Sequence, residues 1–184
     1  GNPVRSALKR SMNRTAAAEI LGVASDQQTL LVLGGSLGAR KINQLIYQHL
    51  EEIQQHKIQL IWQCGNLYAE DYQCYSSANI HVMPFIDNMQ AAYALADVVV
   101  SRAGALAISE ICLMGKPTLF IPSPNVAGNH QEKNAEALAN NEAALLVAER
   151  NADTQFWVRL ESLITDASLR DKLSKNIKVF AHPA

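Results

Sequence analysis

The sequence predicts an α/β protein built on a parallel, doubly wound sheet. Three observations predict it. Short runs such as Leu30-Leu31-Val32-Leu33 and Val98-Val99-Val100 are apolar throughout, as strands covered on both faces must be. Between them lie longer segments with apolar residues at helical spacing, and the connections are short and rich in Gly, Pro and Asn. Strand and helix alternate about six times, which is the pattern of crossover units.

The elements follow in order. Residues 1 to 28 open with Asn2-Pro3 and continue through basic, Ala-containing sequence, read as a linker with one or two short helices. Residues 29–33 form the first strand, Gly34-Gly35-Ser36-Leu37-Gly38 a glycine-rich turn, and Ala39 to about Gln55 one helix carrying Ile42, Leu45, Ile46, Leu50 and Ile53. The next strand spans Ile58 to Gln63, then a polar, Tyr-containing stretch over residues 67 to 77 suggests a short helix. Ile80 to Phe85 is a strand, and Asp87 or Asn88 caps an Ala-rich helix running to Ala96. Asp97 to Val100 is a strand, residues 105 to 114 a helix ending at Gly115, and Thr118 to Ile121 a strand. A loop over 123 to 128 precedes a helix from Asn129 to about Asn140. Ala143 to Ala148 is the last strand, and two helices fill 153 to 180.

The bulk composition narrows the function. Of 184 residues, 48% are hydrophobic and 18% charged, with a formal net charge of −1, so no global positive field points to nucleic acid or anionic lipid. Cys64, Cys74 and Cys112 form no Cys-x-x-Cys pair, which fits reduced thiols better than a disulfide framework or zinc site. No apolar run approaches the roughly 20 residues that cross a bilayer. The chain opens without Met or a signal-like start, so we expect it to begin inside a longer protein, and the C-terminus reads as cut too.

In doubly wound sheets ligands bind beyond the carboxyl ends of the strands, so the loops after Leu33, Phe85, Val100 and Ile121 matter most. The segment Ser101-Arg102-Ala103-Gly104-Ala105-Leu106-Ala107-Ile108-Ser109-Glu110 leaves a strand, turns at a glycine and enters a helix. Backbone N–H groups there converge where the helix dipole is positive, a geometry that attracts phosphate. Glu110 stands about one and a half turns in, placed to hold sugar hydroxyls, although an ordinary turn followed by a solvated acid reads equally well. Gly34 to Arg40 has the strand-to-helix context of a phosphate cradle with Ser36 as a donor. It lacks Gly-x-Gly-x-x-Gly spacing and a closing acid, which disfavours a nicotinamide dinucleotide. Asn43 faces either cleft or solvent, and Ile86 contacts either a flat base or the core. In Gly128-Asn129-His130-Gln131-Glu132-Lys133-Asn134 the polar residues can bond sugar hydroxyls, His130 being an acid–base candidate or merely solvated. With no Asp-x-Asp pair, metal-ligand cluster or Gly-x-Ser-x-Gly elbow, we expect no metal and no cofactor, and a binding half rather than a full catalytic centre.

Taken in order, Gly1-Asn2-Pro3-Val4-Arg5, the segment from Gly34 to Arg40 with Asn43, Pro84-Phe85-Ile86-Asp87-Asn88-Met89, the segment from Ser101 to Glu110, and His130-Gln131-Glu132-Lys133-Asn134 resemble the MurG family. These are bacterial transferases that move N-acetylglucosamine from its UDP donor onto lipid I to give lipid II in peptidoglycan synthesis. The resemblance implies the C-terminal, donor-binding half of a two-domain GT-B glycosyltransferase with a Rossmann-like fold. It places an interdomain linker at 1–28, the UDP-GlcNAc-binding domain at 29–150 and C-terminal helices at 151–184. Arg5 and Ser36 would contact the phosphate region and Ile86 the uracil, with Asn43 beside the glycine-rich turn. Ala105, Leu106, Ala107, Ile108 and Ser109 would supply the helix N-terminus at the diphosphate, Glu110 the ribose contact, and Gln131 the N-acetylglucosamine contact. Ala107 departs from the family, where many members carry threonine. Lipid I and the catalytic base would belong to an N-terminal domain, and the whole protein would be peripheral to the cytoplasmic face of the inner membrane, inverting the sugar on transfer. The other readings weighed are a donor-binding subunit of a two-subunit N-acetylglucosamine transferase, a UDP-sugar epimerase-like domain and a Rossmann dehydrogenase.

Overall fold

The computed structural model describes residues 8, 11–35, 37–124 and 129–181. They divide into two compact units, one up to Asp97 and one from Val98.

In the first unit, helix α1 (Arg14–Leu21) begins at Asn13, whose side chain accepts from Ala16 N–H at 2.7 Å, and stops at Gly22 in the left-handed conformation. Strand β1 (Thr29–Leu33) is buried throughout and pairs in parallel with β2 (Gln59–Gln63), which pairs in parallel with β3 (Ile80–Met83). The single helix expected from Ala39 to Gln55 is instead two, α2 (Arg40–Gln48) and α3 (Leu50–Gln55), broken at His49 with φ −115° and ψ 17°. The stretch after β2 holds two 3₁₀ turns around the one-turn helix α4 (Ala69–Tyr72). β3 ends before Pro84, which cannot donate to a ladder, rather than at Phe85. Asn88 is the cap of α5 (Met89–Leu95), its Oδ1 accepting from Ala91 N–H at 2.9 Å.

Arg14 ties the loop before β1 to the carboxyl end of α5 and to Asp97 beyond it. Its guanidinium donates to the carbonyls of Ser25, Gln27 and Leu95 and pairs with Asp97 at 3.2 Å, while Asp97 also accepts from Thr29 N–H at 2.8 Å. One cation thereby satisfies loop carbonyls that an apolar core could not.

The second unit contains β4 (Val98–Ser101), α6 (Ala105–Met114), β5 (Thr118–Phe120), α7 (His130–Asn140), β6 (Leu145–Leu146), α8 (Ala152–Thr165) and α9 (Ala167–Lys178). β5 pairs in parallel with both β4 and β6. β6 is two residues long, shorter than the expected run from Ala143 to Ala148, because a 3₁₀ turn over Glu149–Asn151 takes the chain into α8. The core gathers Phe120, Phe156, Leu160, Leu163, Leu173 and Ile177, each at most 1% exposed. The α6 C-terminus is closed by Gly115 at φ 64°, and there α9 grips it: Ser174 Oγ donates to the Gly115 carbonyl at 2.7 Å and the Lys178 stem covers the glycine. The strand order is β3-β2-β1 in the first unit and β4-β5-β6 in the second. This is the parallel α/β architecture the sequence predicts.

Candidate functional site

The second unit carries the better-defined site. After β4 the chain passes Arg102, Ala103 and Gly104 and enters α6, with Gly104 as an N-cap that has no side chain to offer. The first intrahelical bond runs from Ile108 N–H to Gly104 O at 3.0 Å, so the N–H groups of Ala105, Leu106 and Ala107 have no partner within the helix. No acid stands in that first turn, and Ala105 and Leu106 are exposed. The positive end of the helix dipole thus faces outward with its donors uncovered by any cap. Ala107, Ile108 and Ser109 are half-buried along the same stretch. Glu110 is 8% exposed and has an interaction within the protein. Burial drives the nearby Cys112 thiol up to about 11, leaving it a neutral core residue rather than a nucleophile.

Gln131, in the first turn of α7, is fixed against this helix entry. Its Oε1 accepts from Ala103 N–H at 3.2 Å and from Ser123 N–H at 2.8 Å. Two backbone donors on one atom identify it as the carbonyl oxygen. The amide nitrogen is therefore the other atom of the fork, and it lies 3.7 Å from the position a Cβ would take on Gly104. The structure brings Gln131 to the mouth of α6, with hydrogen-bond donors to present. His130 and Asn134 are exposed on the same helix.

Two residues to which the sequence assigned no role, Arg102 within the motif and Glu149 outside it, hold this arrangement. Arg102 Nη1 donates to the carbonyls of Ile121 and Pro122, both at 3.2 Å, and to Glu149 Oε2 at 2.7 Å. Glu149 lies 47 positions away along the chain, and no local pattern links the two.

The first unit places its own predicted residues differently. Asn43 is fully buried: Nδ2 donates to Cys64 O and Oδ1 accepts from the Trp62 indole N–H, each at 2.9 Å. Ile86 is 1% exposed, and its N–H donates to Gln63 Oε1 at 2.9 Å. Gln63, a polar residue ending an apolar strand, was the signal for that anchor. In the glycine-rich turn, Gly38 at φ 102° and Gly65 at φ 89° press backbone against backbone, and a Cβ on Gly65 would lie 2.2 Å from Gly38 Cα. Gly65 is required by the Gly38 backbone against it, and Gly38 by the Cys64 carbonyl and the Tyr68 ring that a Cβ there would strike. Arg5 and Ser36 lie outside the described residues.

Among the described residues, no group of three or more His, Cys, Asp or Glu could hold a metal ion, and no helix is long and apolar enough to cross a membrane. What the second unit offers is an α/β domain whose strand-to-helix turn leaves helix N–H donors without an intrahelical partner beside a fixed carboxamide.

Comparison with known proteins makes that class specific. Residues 29–180 match the model of the glycosyltransferase family 28 C-terminal domain, and the chain belongs to that family. A curated relative in Flavobacterium psychrophilum is 46% identical over 185 residues, and one in Christiangramia forsetii is 47% identical over 184. Both are named UDP-N-acetylglucosamine--N-acetylmuramyl-(pentapeptide) pyrophosphoryl-undecaprenol N-acetylglucosamine transferase. Each alignment covers 100% of this chain and 50% of the relative, so the chain spans about half the length of the curated relatives it matches. The crystal structure of Acinetobacter baumannii MurG superposes with a TM-score of 0.75 at 26% identity, covering 96% of this chain and 51% of that one.

Proposed function

We propose that this chain is the donor-binding half of an inverting transferase that moves N-acetylglucosamine from UDP-GlcNAc to lipid I. The observation that carries the reading is the uncapped first turn of α6 beside the oriented amide of Gln131, in a chain 46% and 47% identical to relatives named for that transfer. The N–H groups of Ala105, Leu106 and Ala107 receive the diphosphate, with Ile108 and Ser109 lining the same turn. These donors are fixed by the helix before any ligand arrives, so they stabilise the negative charge that grows on departing UDP without reorganising. Ala107 offers only its backbone, so this part of the grip is made by peptide groups and the dipole.

Gln131 donates from its amide to a sugar oxygen, and Glu110 accepts from the ribose hydroxyls. Ile86 at the uracil, Asn43 beside the glycine-rich turn, and Arg5 and Ser36 at phosphate are assigned by the resemblance alone. The hydroxyl of lipid I then attacks the anomeric carbon as the bond to the UDP oxygen breaks, and the donor half contributes by holding that carbon in line. The acceptor and the base belong to a partner domain, and the assembled enzyme works at the cytoplasmic face of the inner membrane. The dehydrogenase, epimerase and separate-subunit readings have no comparable support.

Calorimetry tests the reading. The folded chain binds UDP and UDP-GlcNAc, and Glu110→Ala weakens both by about tenfold, the worth of one charge-assisted hydrogen bond. No heat with millimolar UDP in a folded sample, or an unchanged affinity in Glu110→Ala, overturns it.

A further inference from the structure

The 3₁₀ turn at Glu149–Asn151 sends two ion pairs in different directions. Glu149 Oε2 meets Arg102 Nη1 at 2.7 Å, and Arg150 Nη2 meets Glu132 Oε1 at 3.1 Å. Arg102 immediately precedes Ala103, and Glu132 immediately follows Gln131. The two pairs therefore flank the hydrogen bond from Ala103 N–H to Gln131 Oε1. Arg102 also holds the carbonyls of Ile121 and Pro122, the residues that lead into Ser123, whose N–H is the second donor to Gln131. Both backbone groups that orient the Gln131 amide are thus attached to segments that Arg102 fastens.

The two pairs differ in weight. Arg150 is 70% exposed, so its pair is screened and contributes little. The Arg102 and Glu149 side chains are 19% and 26% exposed, and all three acceptors are met by Nη1 at the tip of the guanidinium, one bond further out than a lysine ammonium reaches.

We propose that Arg102 and Glu149 are positioning residues for sugar recognition. Together they set the spacing between the loop after β5 and the entry to α6 at which Gln131 keeps its oxygen on the backbone and its amide hydrogens on the ligand. Neither needs to touch the nucleotide sugar. Without Glu149 the arginine is free to leave the Ile121 and Pro122 carbonyls, the loop carrying Ser123 moves off, and the Gln131 amide loses the contacts that fix its direction. This rests on the donor-binding reading, and it adds that recognition of the sugar is controlled by a pair outside the pocket.

The experiment titrates the 184-residue chain with UDP and with UDP-GlcNAc, in wild type, Glu149→Ala, Glu149→Gln and Arg102→Lys. Glu142→Gln, which breaks the exposed pair with Lys172, serves as control. The quantity read is the ratio of UDP-GlcNAc to UDP affinity, with melting temperature recorded alongside. Glu149→Ala and Arg102→Lys lower the ratio by about tenfold. Glu149→Gln, which still accepts from Nη1, lowers it by less than about threefold, and the control leaves it unchanged. A merely structural pair would lower the melting temperature and weaken both ligands equally, and a constant ratio with wild-type binding intact overturns this proposal alone. A wild-type chain that binds neither ligand overturns the donor-binding reading and this proposal with it. Should Glu149→Ala fail to fold, Arg102→Lys and Glu149→Gln still read the ratio.

Discussion

Replacing Gln131 in two ways separates what its oxygen does from what its nitrogen does. Gln131→Ala removes the acceptor of two backbone donors, one on Ala103, which is 0% exposed, and one on half-buried Ser123. An orphaned buried donor costs about 1–3 kcal/mol. Ala103 takes the upper part of that range and Ser123, which water can reach, the lower, giving about 3 kcal/mol in all. For a chain of this size each kcal/mol shifts the melting temperature by roughly 2–4 °C, so Gln131→Ala melts roughly 6–12 °C below wild type. Gln131→Glu keeps an oxygen for both donors and makes those bonds charge-assisted near a helix N-terminus, so it melts at or above wild type. Its second oxygen, however, now stands where the amide hydrogens were and repels a sugar oxygen or a phosphate. UDP-GlcNAc affinity therefore falls by at least about tenfold in both variants. Differential scanning fluorimetry and calorimetry on the same samples read the two effects. Equal melting temperatures for the two variants would refute the bridging role, and full UDP-GlcNAc affinity in Gln131→Glu would refute the donor role.

Two further outcomes follow from buried groups. Asn43→Ala strands the Trp62 indole N–H and the Cys64 carbonyl in the core and lowers stability by about 3 kcal/mol, read by urea titration. A loss of nucleotide binding without loss of stability would instead make Asn43 a ligand contact. The Cys112 thiol, raised by desolvation from the ordinary 9.0 up to about 11, is protonated in the fold at pH values that ionise it in the unfolded chain. Its contribution to stability is full below about pH 9 and is lost as pH rises through about 11. Melting temperature should therefore fall over that window more steeply in wild type than in Cys112→Ala, and parallel profiles would refute the assignment.

Much of the fold was legible because parallel strands buried on both faces must be apolar end to end. β1 occupies the expected residues 29–33, and the glycines around α6 mark its two ends. What failed to show was backbone geometry that leaves the pattern intact. Ile42, Leu45, Ile46, Leu50 and Ile53 keep helical spacing through a break at His49, because all but Leu50 are buried whether the backbone runs on or restarts. In the site, the turn into α6 could be read from Gly104, whereas the burial of Asn43 could not. An asparagine among Ile42, Leu45 and Ile46 is either an error of patterning or a partner for something polar in the core, and only the position of Trp62 decides. Arg102 was visible in its motif, but its partner Glu149 comes from the far side of β5 and α7, beyond the reach of any local rule.

The grip of α9 on Gly115 bears on more than the end of a helix. A ten-residue α6 is a stiff rod about 15 Å long, so whatever fixes its tail also aims its head. Ser174 and Lys178 come 59 and 63 positions after Gly115, yet they seat the tail of the rod whose tip, on the proposed donor-binding reading, meets the diphosphate. On that reading α9 is the breech of the nucleotide site, and substitutions there act through aim as well as through packing.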